Sequence, residues 1–362
     1  MKKNAVIAVA LLAAASMQVA AQEIATESKV IDCGQVRYRH PVTAEFAMKN
    51  KGTAPLIIKE VRTSCGCTQV AYPQQPIAPG QTFIVKTTYD AKTMGHFDKK
   101  IGIYSNGAQG PMVLSIHGKV VEEVEDFVGD YPYTLGYLQA DRNNIEFDNV
   151  NRGDRPTMVL HLKNNTDQVA EPVIMHLPNY LRAQVSPTKL APGHSGKATI
   201  MLDSERLRDL GMTQTSIYLG MFPGDKVAPE KEITVTAIAL PDFEHLTDAQ
   251  RAQAPKMRLS EASLELGGFD GKTKKKGEIT ITNEGKSHLV IRSLQMLTAG
   301  LEVSLNKTTI APGESAKLKI TALAQGLKTA RSKPRVLMIT NDPENTKVMI
   351  NVNISAGKET SR

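Results

Sequence analysis

From Val30 onward the chain alternates apolar and polar positions with a period of two, the signature of strands that bury one face. Val42, Ala44, Phe46 and Met48 alternate with Thr43, Glu45, Ala47 and Lys49, and Asn50-Lys51-Gly52 then closes the run as a turn. The same pattern predicts strands over 56–63, 82–89, 97–104 and 111–118, with Phe83, Val85, Thr87 and Tyr89 sharing one face. Short strands, turn signals every about 8 to 12 residues and no long helical period predict antiparallel β-sandwiches.

The pattern repeats. Ala78-Pro79-Gly80 returns as Ala191-Pro192-Gly193 and Ala311-Pro312-Gly313, each time between strand-like runs. From Asp32, Glu146 and Glu265 to Asn50, Asn164 and Asn283 the distance is 18 residues each time, and from those asparagines to the following Ala-Pro-Gly it is 28, 27 and 28. Strands of fixed length joined by tight turns hold such a count, whereas loop insertions alter it. The landmarks predict modules over 22–121, 145–240 and 257–356, a linker at 122–144, a second at 241–256 and a tail at 357–362. The first linker is acidic and carries Phe127, Tyr131, Tyr133 and Tyr137, which predicts packing against a neighbouring module. The second contains Thr247-Asp248-Ala249-Gln250, a capping box opening a short helix before Pro255. An insert at 203–211, acidic at its start and ending in glycine, predicts one more short helix.

At 362 residues the chain exceeds one ordinary core, in keeping with three modules. Lys2 and Lys3, the apolar run from Ala5 to Ala15, and Val19-Ala20-Ala21 ahead of Gln22 read as a signal peptide over 1–21. No apolar stretch approaches the about 18 residues that a transmembrane helix needs. The expectation is a soluble chain in the periplasm or outside the cell. Residues 22–124 carry 12 basic and 9 acidic side chains, 125–255 carry 12 and 18, and 256–362 carry 18 and 10. The basic loop Gly271–Gly277 (GKTKKKG) lacks interleaved stacking aromatics, so nucleic acid is not an expected partner.

The chemistry rests on Thr63-Ser64-Cys65-Gly66-Cys67-Thr68, which holds two of the three cysteines. In an exported chain the default for cysteines is pairing, and three leaves one over. Four readings stand. One is a structural disulfide, most simply Cys33 to Cys65 or Cys67. Another is free, mixed or intermolecular thiols. The third is Cu(I) held by Cys65 and Cys67 with Met94, His96 or Cys33. The fourth is thiol-disulfide chemistry at a Cys65–Cys67 bridge, with Gly66 bending the chain to close a small ring. His117, His161 and His176 stand singly, and Gly193-His194-Ser195-Gly196 lacks the spacing of a nucleophile elbow. Neither a His-Glu-x-x-His motif nor a phosphate loop occurs.

This motif, followed by Pro76-Ile77-Ala78-Pro79-Gly80, Gly95-His96-Phe97 and Ser105-Asn106, resembles the bacterial family catalogued as domain of unknown function 1573. The resemblance covers 30–121. Modules two and three share the ruler and turns without the cysteine pair, and resemble the wider ASPM/SPD-2/Hydin and major-sperm-protein group. The family usually places an aromatic residue where this chain has Cys33. The resemblance implies three tandem immunoglobulin-like antiparallel β-sandwiches joined by semi-rigid linkers, all-β and exported, and brings no established activity. The expectation is a non-catalytic binding or scaffolding protein of the bacterial envelope, without cofactor, meeting other envelope proteins or surface polymers through its sheet edges. The alternative is a thiol-redox or copper protein centred on Cys65 and Cys67.

Overall fold

The computed structural model describes residues 23–124, 127–330 and 332–355, and the expected signal peptide and tail lie outside them. The protein is all-β, built from paired sheets that enclose three apolar cores. In the first sandwich the strands are β1 (Ile24–Thr26), β2 (Val30–Arg37), β3 (Val42–Asn50), β4 (Ile58–Thr63), β5 (Thr68–Ala71), β6 (Thr82–Tyr89), β7 (Gly95–Ser105) and β8 (Met112–Val121). One sheet runs β1-β3-β6-β5 and the other β2-β8-β7-β4. Alternation does what the pattern requires: Ala44, Phe46 and Met48 of β3 and Phe83, Val85 and Tyr89 of β6 point into the core, against Ile101, Ile103, Leu114 and Ile116 of the facing sheet. The opening strand β2 pairs parallel to β8, with an irregularity between Asp32 and Gln35. Asn144–Asn151 and Ser263–Glu265 open the other two sandwiches with the same parallel pairing.

The asparagine ruler has a physical cause. Asn50, Asn164 and Asn283 are fully buried. In each, Nδ2 donates to two backbone carbonyls: Ala54 and Ile77 (both 2.9 Å), Gln168 and Leu190 (2.7 and 2.8 Å), and Ser287 and Ile310 (2.8 and 2.9 Å). Each Oδ1 accepts from the backbone N–H two residues on, in Gly52, Thr166 and Gly285. The Pro-Gly turn is tied to the same place, since Gly80, Gly193 and Gly313 donate to the carbonyls of Asn50, Asn164 and Asn283 at 2.8 Å each. Those glycines sit at φ of 77°, 76° and 75°, a left-handed conformation that costs glycine little and other residues about 1 kcal/mol or more. A fixed spacing is therefore what keeps one buried amide in register with one turn.

The structure departs from the sequence reading in four places. Tyr133–Leu135 and Leu138–Ala140, expected within a linker, form a hairpin that extends the sheet of the second sandwich through Thr157–Asn164. Their three-residue length gave no alternation to read. The insert at 203–211 yields one turn of 3-10 helix at Ser204–Arg206 in place of an α-helix. Helix Asp248–Ala252 forms with Thr247 and Gln250 closing the capping box, but a second short helix, Ala324–Lys328, has no side-chain cap to announce it. Finally, the chain divides into two compact units: the first sandwich with Ser186–Lys189, and the rest of 127–362. Within the second unit the linker is not the sole connection between sandwiches. Leu240, Leu337 and Ile339 are buried in a seam with Leu210, Met212, Ile238, Leu297 and Met349. Across it the Gln295 amide accepts from the Met212 N–H at 2.6 Å and donates to the Met212 carbonyl at 3.1 Å.

Candidate functional site

Of the connections that cross between the sheets of each sandwich, one occupies the same place in the strand order of all three. In the first it is Ser64–Cys67, between β4 of one sheet and β5 of the other. The crossing is fastened at both ends by backbone. The Ser64 N–H donates to the Lys100 carbonyl at 3.0 Å, the Lys100 N–H donates to Ser64 Oγ at 3.2 Å, and the Asp90 N–H donates to the Cys67 carbonyl at 3.1 Å. Thr63 Oγ1 donates to the Cys65 carbonyl at 2.9 Å. So held, Cys65 and Cys67 have Cα atoms 5.3 Å apart and sulfurs within bonding distance. Both residues are half-buried. The hydroxyl of buried Thr68 lies 3.6 Å from Cys65 Sγ and 3.9 Å from Cys67 Sγ.

Gly66 was expected to supply the bend. Its φ is outside the left-handed region and a Cβ there would meet nothing within 4 Å, so the crossing does not depend on glycine.

Cys33 is elsewhere. It lies on β2, separated from β4 by two intervening strands in the order β2-β8-β7-β4, three spacings or a lateral span of about 14 Å. A disulfide tolerates Cα separations up to about 7 Å, so the bridge from Cys33 to Cys65 or Cys67 does not form in this fold. Cys33 is free and packs on the core of the first sandwich. Burial, and then the neighbouring Asp32 carboxylate, push its thiol up to about 12. The replacement of that long-range bridge by a local one matters energetically. On the chain-entropy account a 33-residue loop contributes about 3.7 kcal/mol, whereas the three-residue ring Cys65–Cys67 contributes about 1.6 kcal/mol. A Cys65–Cys67 bond is a weak staple.

Among the described residues neither His96 nor Cys33 joins the pair in a group of three metal-ligating side chains. His96 is exposed on β7 opposite Lys119, and Met94 is 51% exposed. Among the described residues no group of three or more His, Cys, Asp or Glu side chains converges as a metal site would. His117 lies 3.7 Å from Asp32, His161 lies 3.2 Å from Asp141, which also pairs with Arg142, and His176 packs edge-on against Tyr218.

Next to the cysteines the structure reveals a feature that the sequence reading overlooked. From Thr63 to Val85 the chain has 23 consecutive residues without Asp, Glu, Lys or Arg, in a protein that is 22% charged. This run contains β5, which is the edge of its sheet and, among the described residues, pairs on one side only, with β6. Gln69 and Ala71 are exposed on it, opposite Thr88 and Lys86 of β6, and Ile84, 52% exposed, lies two residues past the end of that pairing. By contrast the edge strand β4 of the other sheet carries Lys59, Glu60 and Arg62, and the strands equivalent to β5 carry Arg182 and Glu302. Charged residues on edges discourage further pairing, and β5 lacks them.

Comparison with known proteins fits this architecture. Residues 24–120 match the family model described as protein of unknown function (DUF1573), and residues 255–353 match the HYDIN/CFA65/VesB-like Ig-like domain. A protein of unknown function from Porphyromonas gingivalis W83 is similar at 22% identity over 61% of this chain and 100% of its own, with a TM-score of 0.49. The ASH/PapD-like domain 7 of human CEP192 is 8% identical over 33% of this chain and 100% of its own, with a TM-score of 0.26. The VesB protease of Vibrio cholerae is 15% identical over 28% of this chain and 32% of its own, with a TM-score of 0.23. No curated protein matches. The class is thus an all-β protein of immunoglobulin-like sandwiches, and its first sandwich matches the family of the cysteine motif. Among the described residues no helix is long and apolar enough to cross a membrane.

Proposed function

We propose that this chain is a non-catalytic, exported binding protein of the bacterial envelope whose contact surface is the β5 edge of its first sandwich. The observation that carries the reading is the uncharged, half-paired β5: its outward backbone groups offer hydrogen bonds to an extended segment of another protein, which would add as a further strand. Gln69, Ala71 and Ile84 would meet alternate side chains of that segment. The basic start, apolar run and small residues of 1–21 support export. The other sandwiches would then serve as a scaffold, stiffened by the seam that joins them.

The test is capture from envelope extract by the full chain and by a double variant, Gln69→Lys with Ala71→Lys, which places lysines on the edge. Capture that is lost in the double variant and kept when Glu60→Lys alters the already charged β4 supports the proposal. Recovery of the chain alone, or capture indifferent to the lysines on β5, contradicts it.

A further inference from the structure

The cysteine crossing ends where β5 begins: Cys67 is followed directly by Thr68, the first residue of the uncharged edge. We infer that the Cys65–Cys67 pair is an exchangeable disulfide that takes a cysteine thiol of the partner segment into a mixed disulfide, so that edge pairing on β5 is followed by covalent capture. The inference rests on the β5 reading for the identity of the partner, though not for the chemistry of the sulfurs.

Three observations support exchange over a structural role. The ring is of three residues, so opening it releases little chain entropy. The crossing is open, with both cysteines half-buried and free space beside Gly66. The third cysteine is out of reach, so no internal thiol on the described chain competes for the bridge. The two sulfurs also differ. Cys67 packs on the apolar core, whereas the described cysteines in that contact do not include Cys65. The partner thiolate therefore attacks Cys65 Sγ. The Cys65–Cys67 S–S bond breaks as the new S–S bond to the partner forms, and Cys67 leaves as a thiolate that takes up the proton lost by the partner thiol. The partner sulfur is oxidised and Cys67 is reduced, with no outside oxidant. The Thr68 hydroxyl lies between the two sulfurs, 3.6 Å from Cys65 Sγ and 3.9 Å from Cys67 Sγ, so it can turn to donate to Cys67 as that sulfur leaves.

The test treats the native full-length chain with reduced glutathione, quenches, alkylates the free thiols and maps the peptides by mass. The expected result is glutathione on Cys65, alkylation of Cys67 and no modification of Cys33. Thr68→Val, with an unchanged circular dichroism spectrum, should slow the opening about tenfold, the worth of one hydrogen bond to the leaving sulfur. A bridge that stays closed to glutathione in the native chain, glutathione spread equally over Cys65 and Cys67, or an unchanged rate in Thr68→Val would overturn the inference. Failure of the two readings is separable: loss of extract capture with glutathione exchange intact refutes the β5 partner alone, and capture without exchange refutes the bridge alone.

Discussion

The crossing of the first sandwich and that of the third occupy the same place between their sheets, yet they are finished in opposite ways. In the third, Leu297–Gly300 is packed shut. Leu297 joins the seam to the second sandwich, Thr298 is 6% exposed with its hydroxyl on the Lys333 carbonyl at 3.1 Å, and Gly300 lies against the backbone of Gly326 and Leu327 in helix Ala324–Lys328. In the first, none of the helices among the described residues lies in this sandwich, and Cys65 and Cys67 are left half-buried. A crossing closed by packing needs no covalent link, and a crossing closed by a three-residue ring gains little stability from one. The difference leaves the first crossing the more open of the two.

The comparison can be sharpened in order of effect. The largest concerns the sulfurs of the first sandwich. After mild reduction at pH 8, alkylation should label Cys65 and Cys67 while Cys33 lags about a thousandfold, because its pKa rises from 9.0 to about 12. The sign follows: labelling of Cys33 should go on rising with pH up to about 12, where that of an ordinary thiol levels off near 9. The stability that its raised pKa confers is full below about pH 9 and is lost as pH rises from there. Equal labelling of all three would show that Cys33 is not held as described.

Next comes the packed crossing. Gly300→Ala places a Cβ 2.6 Å from backbone atoms at φ of 86°, and should cost the third sandwich about 3 kcal/mol in urea unfolding. Replacing both Cys65 and Cys67 by Ser should cost the first sandwich about half as much, about 1.6 kcal/mol. A larger loss there would make the bridge a true staple and reverse the contrast. Thr298→Val should cost about 1 kcal/mol through the unpaired Lys333 carbonyl. Gly66→Ala, with open space at its Cβ, should stay within about 0.5 kcal/mol of wild type by the same measurement.

Much of the fold was legible because alternation and turn residues act locally. The strands around Phe46, Val85 and Ile103 follow from period two, and the asparagine ruler follows from one side chain bonding to one turn. What could not be read depends on which strands share a sheet. Cys33 and Cys65 are compatible with a bridge until β8 and β7 are placed between β2 and β4. The uncharged run from Thr63 to Val85 was in plain view, but its meaning depends on β5 being an edge, which is a property of the sheet order. Helix Ala324–Lys328 spans five residues without a capping side chain, so nothing local distinguished it from a loop.

Peptide mapping of the native full-length chain without reductant is the most direct measurement. With thiols blocked before digestion, the peptide containing Cys65 and Cys67 should appear as an internal disulfide with neither sulfur blocked, and Cys33 should be labelled only once the chain is unfolded. A crosslinked pair of peptides joining Cys33 to Cys65 or Cys67 would contradict the sheet order and, with it, the placing of the first crossing.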